Sequence, residues 1–234
     1  MAAAAATLRI RVWDLPTRLC HWTLAALAAG AFVTGFSGGN GMEVHGKAGI
    51  AIVALLAFRI VWGFIGSTHA RFATFVRGPA AIRAYLRGEW QGVGHNPLGA
   101  LAVLGLLGFL AIQTATGLFG NDDIAFTGPL YALVDKETSD FFTALHRQSV
   151  WLLLLLVVLH LGAIAFYWRV RRQNLVRPML TGWKEAPAPH AEAARGGGMV
   201  ALLAAVCIGG FAAYAAAGAL LPPPTAAAAT TPAW

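Results

Sequence analysis

The most constraining feature of the chain is an almost uninterrupted apolar run from residue 141 to residue 168 that contains two histidines, His146 and His160. Such a run is long enough to cross a hydrocarbon core of about 30 Å as one helix. In that helix the two imidazoles lie on nearly the same face, about 21 Å apart along the axis. Because ionisable groups at membrane depth are costly and neutral imidazole is a common metal ligand, these histidines predict a functional role.

Four further apolar segments have the length of a membrane span. The composition, with 58% hydrophobic and 12% charged residues and a mean hydropathy of +0.64, is typical of an integral membrane protein. We therefore predict an all-α fold that crosses the membrane five times. The predicted spans are Leu19–Phe36, Val44–Ile65, Leu98–Phe119, Phe142–Trp168 and Met199–Leu221.

The cations alternate between the connections that join these spans. Thirteen belong to one side, whereas the other side has three cations and a group of acids. By the positive-inside rule, this pattern predicts a cytoplasmic N-terminus and a periplasmic C-terminus in a bacterial inner membrane. The thirteen are Arg9, Arg11, Arg18, Arg71, Arg77, Arg83, Arg87, Arg169, Arg171, Arg172, Arg177, Lys184 and Arg195; the opposite side has Lys47, Lys136 and Arg147 with Asp122, Asp123, Asp135, Glu137 and Asp140.

The net charge of +7 is explained by this topology. Basic residues at a membrane surface meet anionic lipid head groups, so membrane lipid is the expected partner and nucleic acid is not. The connection after the second span includes AAIRAYLRGEW, whose spacing fits a short amphipathic helix at the surface, with a solvated basic connector as the alternative.

The rest of the sequence sets further limits. The polar N-terminus lacks the apolar region of a cleavable signal peptide. Cys20 and Cys207 are isolated and no C-x-x-C-H motif occurs, so neither a disulfide framework nor covalently attached haem is indicated. We predict four regions: a bundle domain (1–185), a Pro/Ala/Gly-rich linker (186–198), a fifth span (199–221) and a low-complexity external tail (222–234).

Depth in the membrane sorts the histidines into pairs. His21 begins the first span at the cytoplasmic side, and His45 begins the second at the external side. The fourth span enters from outside, so depth pairs His45 with His146 and His21 with His160. Two bis-histidine sites suit haem b, whose iron takes two axial ligands and whose apolar ring is buried between helices. The alternatives are zinc, which usually requires four ligands, and histidines that only form hydrogen bonds within the bundle.

Three cations and two other histidines lie near these sites in the sequence. Arg59, deep in the second span, is a candidate partner for a haem propionate near the cytoplasmic site. Lys47 and Arg147 are candidates at the external site, with interfacial snorkelling as the alternative. His69 and His95 border the cytoplasmic connection, where either could bind a quinone head group; helix capping and interface anchoring are the alternatives.

Several motifs resemble the bacterial cytochrome b561 and nickel-iron hydrogenase b-type cytochrome family. The resemblance covers about residues 9 to 185 and implies a four-helix bundle with two haem b groups that moves electrons between the quinone pool and a partner. Carried over, it implies axial ligation by His21, His45, His146 and His160, and it does not account for the fifth span. The motifs are RVWDLPTRLCHW, MEVHGKAG, FRIVWGFIGSTHARF, GHNPLG, TGLFGNDD, LHRQSV followed fourteen residues after its histidine by the second histidine, and QNLVRPMLTG.

Three functional hypotheses follow. The first is a membrane cytochrome that takes electrons from quinol and delivers them to a periplasmic acceptor such as a c-type cytochrome. In this hypothesis the acidic stretch from Asn121 to Asp140 is a docking surface for the acceptor, with an ordinary solvated loop as the alternative. The second is a haem b anchor subunit of a hydrogenase or another oxidoreductase. The third is a haem-free transporter or assembly factor. The sequence neither requires nor excludes a homodimer, and it leaves quinol oxidoreductase activity open.

Overall fold

Long apolar helices dominate the structure. The computed structural model describes residues 7–90 and 92–222. Five of its helices, α1, α2, α5, α6 and α8, are long and apolar enough to cross a membrane, which confirms the predicted helical membrane architecture. In chain order the helices are α1 (Leu15–Ser37), α2 (Gly41–Ile65), α3 (Phe72–Phe75), α4 (Pro79–Leu86), α5 (Pro97–Leu118), α6 (Lys136–Arg169), α7 (Val176–Thr181) and α8 (Met199–Ala216).

Side-chain caps set where three of the long helices begin. The carboxylate of Asp14 accepts a hydrogen bond from the backbone N–H of Thr17, 2.6 Å away, at the start of α1. Asn96 and Asp135 cap α5 and α6 in the same way. A capping oxygen pairs an N–H that the first turn otherwise leaves free. These caps explain why α1 and α6 begin several residues before the predicted apolar limits.

Helix α2 is the centre of the bundle. It packs against α1, α5 and α8, and α5 packs against α6. Ile52 and Trp62 of α2 are 2% and 1% exposed and belong to an apolar core that includes Cys20 and Leu24 of α1 and Ala205 of α8. Many leucines and phenylalanines of the long helices are exposed, as expected for side chains that contact lipid.

The fifth span packs on α2 through small residues. Ala205 is completely buried, and a Cβ atom on Gly209 would lie 2.7 Å from the carbonyl oxygen of Ala54. Small residues one turn apart allow helix backbones to approach closely in a membrane. The helix ends at Ala216, five residues before the predicted limit at Leu221, and Gly218 follows with a left-handed φ of +76°.

A short antiparallel sheet that the helical prediction does not include joins the two ends of the bundle domain. Strands β1 (Thr7–Arg11) and β2 (Trp183–Pro187) pair along their length, so the predicted boundary after residue 185 falls within β2. The chain after β2 folds back: Ala194 N–H donates to Arg11 O, 2.7 Å away, and Thr68 N–H donates to Arg195 O, 2.8 Å away. The predicted linker therefore packs against the bundle.

The connections lie at two ends of the bundle. The sheet end comprises residues 7–14, 66–90, 92–96 and 170–198, and it includes α4, which overlaps the stretch predicted to form an amphipathic helix. The loop end comprises residues 38–40, 119–135 and 217–222. From residue 223 onward, the predicted external tail lies outside the described residues. Which end faces the cytoplasm stays a prediction.

Candidate functional site

The four membrane histidines lie as two pairs. At the loop end, the ring centroids of His45 in α2 and His146 in α6 are 5.9 Å apart. Towards the sheet end, the centroids of His21 in α1 and His160 in α6 are 6.5 Å apart. Helix α6 therefore contributes one imidazole to each pair, at two depths of the same helix.

The spacing within each pair suits a metal between the rings. Because a metal–imidazole bond is about 2 Å long, two imidazoles on opposite sides of one metal have centroids roughly 6 Å apart. In the described part of the chain, no group of three or more His, Cys, Asp or Glu side chains comes together as a metal site. A donor set of two imidazoles fits haem iron, which the macrocycle completes, better than structural zinc. Ligation itself stays a prediction.

The loop-end imidazoles are each held by a backbone carbonyl. His45 Nδ1 lies 2.9 Å from Ala31 O, and His146 Nδ1 lies 2.8 Å from Gln113 O. A carbonyl oxygen only accepts hydrogen bonds, so each Nδ1 has the hydrogen and each Nε2 keeps a free lone pair for a metal. Towards the sheet end, His21 Nδ1 is buried and has no hydrogen-bond partner among the described residues.

The predicted propionate partners differ in their surroundings. Arg59 is 7% exposed, its guanidinium lies 5.0 Å from the centre of the Phe72 ring, and its Nη1 has no hydrogen-bond partner among the described residues. It lies one turn from Leu55, whose carbonyl is 3.6 Å from the thiol of Cys20, the neighbour of His21. Lys47 is instead exposed and paired with Glu43, and Arg147 is exposed. Of these three candidates, only Arg59 is buried with a guanidinium nitrogen that has no hydrogen-bond partner among the described residues.

The other predicted histidines border a cavity of about 320 Å³ at the sheet end. His69 Nε2 lies 2.9 Å from Glu192 O, in the chain that follows β2. His95 packs between aromatic rings, with centroid distances of 4.6 Å to Trp13 and 4.5 Å to Phe75. The cavity is also lined by Trp90, whose indole Nε1 is buried without a partner among the described residues, as is His95 Nδ1.

His95 lies close to the sheet-end imidazole pair. Its pKa is lowered to about 3, first by burial and then by positive charge on Arg59, His69, His21 and His160. A histidine surrounded in this way is neutral at physiological pH. A neutral imidazole that responds to the charges of the His21–His160 pair therefore lines the cavity.

The acidic loop end is tied together by hydrogen bonds. The carboxylate of Asp122 accepts three backbone N–H groups of its own turn, chiefly that of Phe126, and these bonds lower its pKa. Lys136 bridges Asp123 and Asp140 at 2.6 and 2.9 Å. A Cβ atom on Gly46, beside His45, would lie 3.1 Å from the Phe126 ring. The loop thus covers the His45 end of the bundle, and its docking role stays a prediction.

Sequence reasoning missed one polar junction at the sheet end. Besides capping α1, the carboxylate of Asp14 accepts hydrogen bonds from the indole Nε1 of Trp62, at 3.1 Å, and from the hydroxyl of Ser67. The signal was present in the motif, since Asp followed two residues later by Pro16 indicates a helix start. The hydrogen bonds from Trp62 and Ser67 had no such signal, because both residues are distant from Asp14 in the sequence.

Comparison with known proteins identifies relatives that match about three quarters of the chain. A probable Ni/Fe-hydrogenase B-type cytochrome subunit from Azotobacter chroococcum mcd 1 is 26% identical, with 75% of this chain and 88% of the relative covered. Proteins with the same name from Bradyrhizobium diazoefficiens and Rhodobacter capsulatus are 25% and 23% identical, covering 75% and 74% of this chain and 86% and 80% of the relatives. No solved structure matches the chain.

The family comparison is broader than any single relative. The sequence pattern of the prokaryotic cytochrome b561 family matches residues 12–182, which include all four membrane histidines and four of the five long helices. The match ends before α8. The predicted family is thereby confirmed: the chain belongs to the prokaryotic cytochrome b561 family.

Proposed function

We propose that this membrane b-type cytochrome binds two haem b groups, one between His21 and His160 and one between His45 and His146, and relays electrons between the quinone pool and a redox partner. Haem b, when bound, supplies reversible one-electron transfer. The observation that carries the proposal is the arrangement of the four imidazoles as two facing pairs, with centroids 6.5 and 5.9 Å apart. The bundle holds these half-buried rings on three helices, α1, α2 and α6.

Helix α6 fixes the separation of the two sites. Its two histidines are fourteen residues apart, which corresponds to about 21 Å along one rigid helix. An electron that crosses the bundle between the two sites thus travels most of the thickness of a hydrocarbon core, which is about 30 Å.

Arg59 supports a propionate position towards the sheet end. An isolated buried guanidinium is strongly unfavourable unless an anion or hydrogen-bond acceptors satisfy it. Arg59 has the aromatic face of Phe72 beside it, and its Nη1 has no partner in the described chain. A carboxylate delivered by the cofactor would complete its surroundings and orient the ring between α1 and α6.

The cavity at the sheet end is the best candidate for the quinone head group. Its volume of about 320 Å³ lies at the lower limit of ordinary ligand pockets. Among the described residues, the buried Nε1–H of Trp90 is a donor without an acceptor, and His95 Nδ1 is likewise unpaired. A quinone carbonyl would satisfy the Trp90 donor. His95 lines this cavity and responds to the charges of His21 and His160, and His69 connects the cavity to the chain that follows β2 at Glu192.

The partner outside the membrane can belong to either of two classes. The names of the relatives favour an anchor subunit that receives electrons from a hydrogenase. The acidic residues of the loop end favour a basic soluble acceptor such as a c-type cytochrome, through electrostatic complementarity. Both partners would meet the His45–His146 site, which lies beneath the loop end.

Haem quantification together with a reduced-minus-oxidised spectrum of the purified full chain tests the proposal. Two b-type haems per chain are expected, with His160→Ala losing one and His69→Ala keeping both. A chain purified from its native membrane without b-type haem would refute the proposal. Purification under mild conditions separates the two partner classes, because an anchor subunit retains a large catalytic subunit. A cytochrome that depends on a soluble c-type cytochrome is instead isolated alone, and its oxidation by that soluble partner slows at high salt.

A further inference from the structure

The two loop-end histidines occupy matching positions on two different helix pairs. His45 of α2 donates to Ala31 O of α1, and His146 of α6 donates to Gln113 O of α5, at 2.9 and 2.8 Å. Each accepting carbonyl belongs to the residue four positions before a glycine, Gly35 in α1 and Gly117 in α5. Residues four apart lie one above the other on a helix face, so each glycine lies beside its carbonyl.

Each glycine leaves room for an imidazole. A Cβ atom on Gly35 would lie 3.0 Å from both Cε1 and Nδ1 of His45. A Cβ atom on Gly117 would lie 3.0 Å from Cε1 and 3.2 Å from Nδ1 of His146. Contacts this short force the ring to move by a few tenths of an ångström, and the same movement would strain the hydrogen bond from Nδ1. Glycine is therefore required by the close approach of the ring and not by the helical backbone.

A threonine precedes each glycine, and its hydroxyl lies within hydrogen-bond distance of two carbonyls, of which the one that accepts from the histidine is the more distant. Thr34 Oγ1 lies 2.8 Å from Gly30 O and 3.3 Å from Ala31 O, and Thr116 Oγ1 lies 2.8 Å from Ile112 O and 3.1 Å from Gln113 O. Threonine bonds to the carbonyl four residues earlier bend a helix slightly. The carbonyl, threonine and glycine thus form one unit, which occurs once in α1 and once in α5. We call it the Thr-Gly seat: Ala31, Thr34 and Gly35 in α1, and Gln113, Thr116 and Gly117 in α5.

The seat in α5 has further support. The Gln113 amide nitrogen donates to His146 O at 3.0 Å, and the hydroxyl of Ser149 donates to Gln113 Oε1 at 2.7 Å. These bonds fix the backbone of α6 beside the ring that the seat holds. Ser149 is 5% exposed, so the connections are shielded from water and from lipid.

We infer that the Thr-Gly seats position His45 and His146 and hold the loop-end haem at a lower midpoint potential than the sheet-end haem. This inference rests on the proposed haem ligation. An Nδ1–H bonded to a carbonyl makes imidazole a more basic ligand, which stabilises the more positively charged oxidised iron. Both loop-end rings have this bond.

The sheet-end site differs in two respects that act in the same direction. His21 Nδ1 has no acceptor among the described residues, so that ligand receives no such increase in basicity. Arg59 places a buried positive charge near the site, which favours the reduced and less positive state of the iron. The resulting difference in midpoint potential directs electrons from the loop-end haem to the sheet-end haem and towards the cavity. It favours an external donor with quinone as acceptor over the reverse direction.

Glycine substitutions in the full chain, with matched controls on the same helices, test the seats. Gly35→Ala and Gly117→Ala should each shift the absorption and electron paramagnetic resonance signals of one haem and lower its occupancy. Gly30→Ala in α1 and Gly108→Ala in α5, where an added Cβ meets nothing within 4 Å, should leave both haems as in the wild type. If seat and control variants behave alike in a chain that binds two haems, the inference is wrong while the proposed function stands.

Ligand exchange tests the order of the potentials without depending on the glycine variants. A methionine axial ligand raises the potential of a haem. A redox titration of His146→Met should therefore raise the lower of two midpoints, and His160→Met the higher. If a variant loses its haem instead, the midpoint that disappears gives the same assignment. The opposite order overturns the inference, whereas a wild-type chain without haem overturns the proposed function on which it rests.

Discussion

The indole Nε1 of Trp62 in α2 donates a hydrogen bond of 3.1 Å to the carboxylate of Asp14, which also caps α1. One carboxylate therefore joins the first two helices at the sheet end, with Ser67 as a third donor. Trp62 is 1% exposed and Ser67 is 3% exposed, so neither donor can turn to water if Asp14 is removed.

We expect Asp14→Ala to destabilise the protein by about 3–7 kcal/mol. The loss of a helix cap costs about 1 kcal/mol, and each buried donor left without a partner costs about 1–3 kcal/mol. Asp135→Ala is the matched control, because Asp135 caps α6 through Thr138 at the exposed loop end. Thermal unfolding in detergent should show the larger decrease in Tm for Asp14→Ala, and equal decreases would show that the tertiary bonds contribute nothing.

A second prediction concerns the contact between α8 and α2. Gly209→Ala would bring a methyl group to 2.7 Å from Ala54 O, so the helices must separate at a cost of about 1–3 kcal/mol. Gly210→Ala meets nothing within 4 Å and should keep the wild-type Tm or raise it slightly through higher helix propensity. Equal Tm values for both variants in detergent would contradict the close packing of α8.

The long helices could be predicted from sequence because hydropathy is a local property. The sequence of Gly41–Ile65, for example, is apolar enough to identify α2 without any knowledge of its neighbours. Helix ends were less accurate, since Asp14 and Asp135 start their helices before the apolar run begins. Capping signals are local as well, and they would have corrected both starts.

Contacts between distant segments could not be predicted in the same way. Strand β1 alternates apolar and polar residues from Leu8 to Arg11, but its partner β2 lies about 176 positions later and has no such alternation, so the pairing has no local signal. The histidine spacing suggested the depth of each ring, but the seats at Gly35 and Gly117 depend on which helix faces which. The cavity at His95 depends on the chain after β2 folding back over the bundle.

A third prediction follows from the buried charge of Arg59. Replacing it by methionine removes a positive charge near the His21–His160 site and should lower the midpoint potential of the sheet-end haem, because the cation favours the reduced state. Arg147→Met is the matched control: Arg147 is exposed, its charge is screened by solvent, and its loss should shift neither midpoint appreciably. A redox titration that shows equal shifts in both variants would remove Arg59 from the site.

A fourth prediction concerns the stability of the protein in mild acid. Burial holds the pKa of His95 at about 3, below the value of about 6.5 for an unfolded histidine. Below about pH 6.5 the unfolded state therefore takes up the proton and the folded state does not, so stability falls by up to about 1.4 kcal/mol per pH unit down to about pH 3.

His95→Phe should flatten this dependence, because phenylalanine suits the aromatic surroundings of Trp13 and Phe75 and does not titrate. Measuring Tm in detergent between pH 7 and pH 5 checks the expectation. Asp122 does not interfere in this pH range, because hydrogen bonds lower the pKa of its carboxyl from the usual value of 3.8. A wild type and a His95→Phe variant with equal slopes would contradict the buried neutral state of His95.

The last prediction tests the cavity as the quinone site. Trp90→Phe keeps an aromatic ring in the wall but removes the buried indole N–H that has no acceptor among the described residues. Because a site built to donate a hydrogen bond loses affinity when the donor is removed, we expect quinol to reduce the haems several-fold more slowly.

Reduction by dithionite, which does not need the cavity, should be unchanged. Trp151→Phe is the matched control, since Trp151 is 59% exposed on α6 and does not line the cavity. Stopped-flow reduction with a short-chain quinol measures both variants, and equal slowing in the two would place the quinone elsewhere.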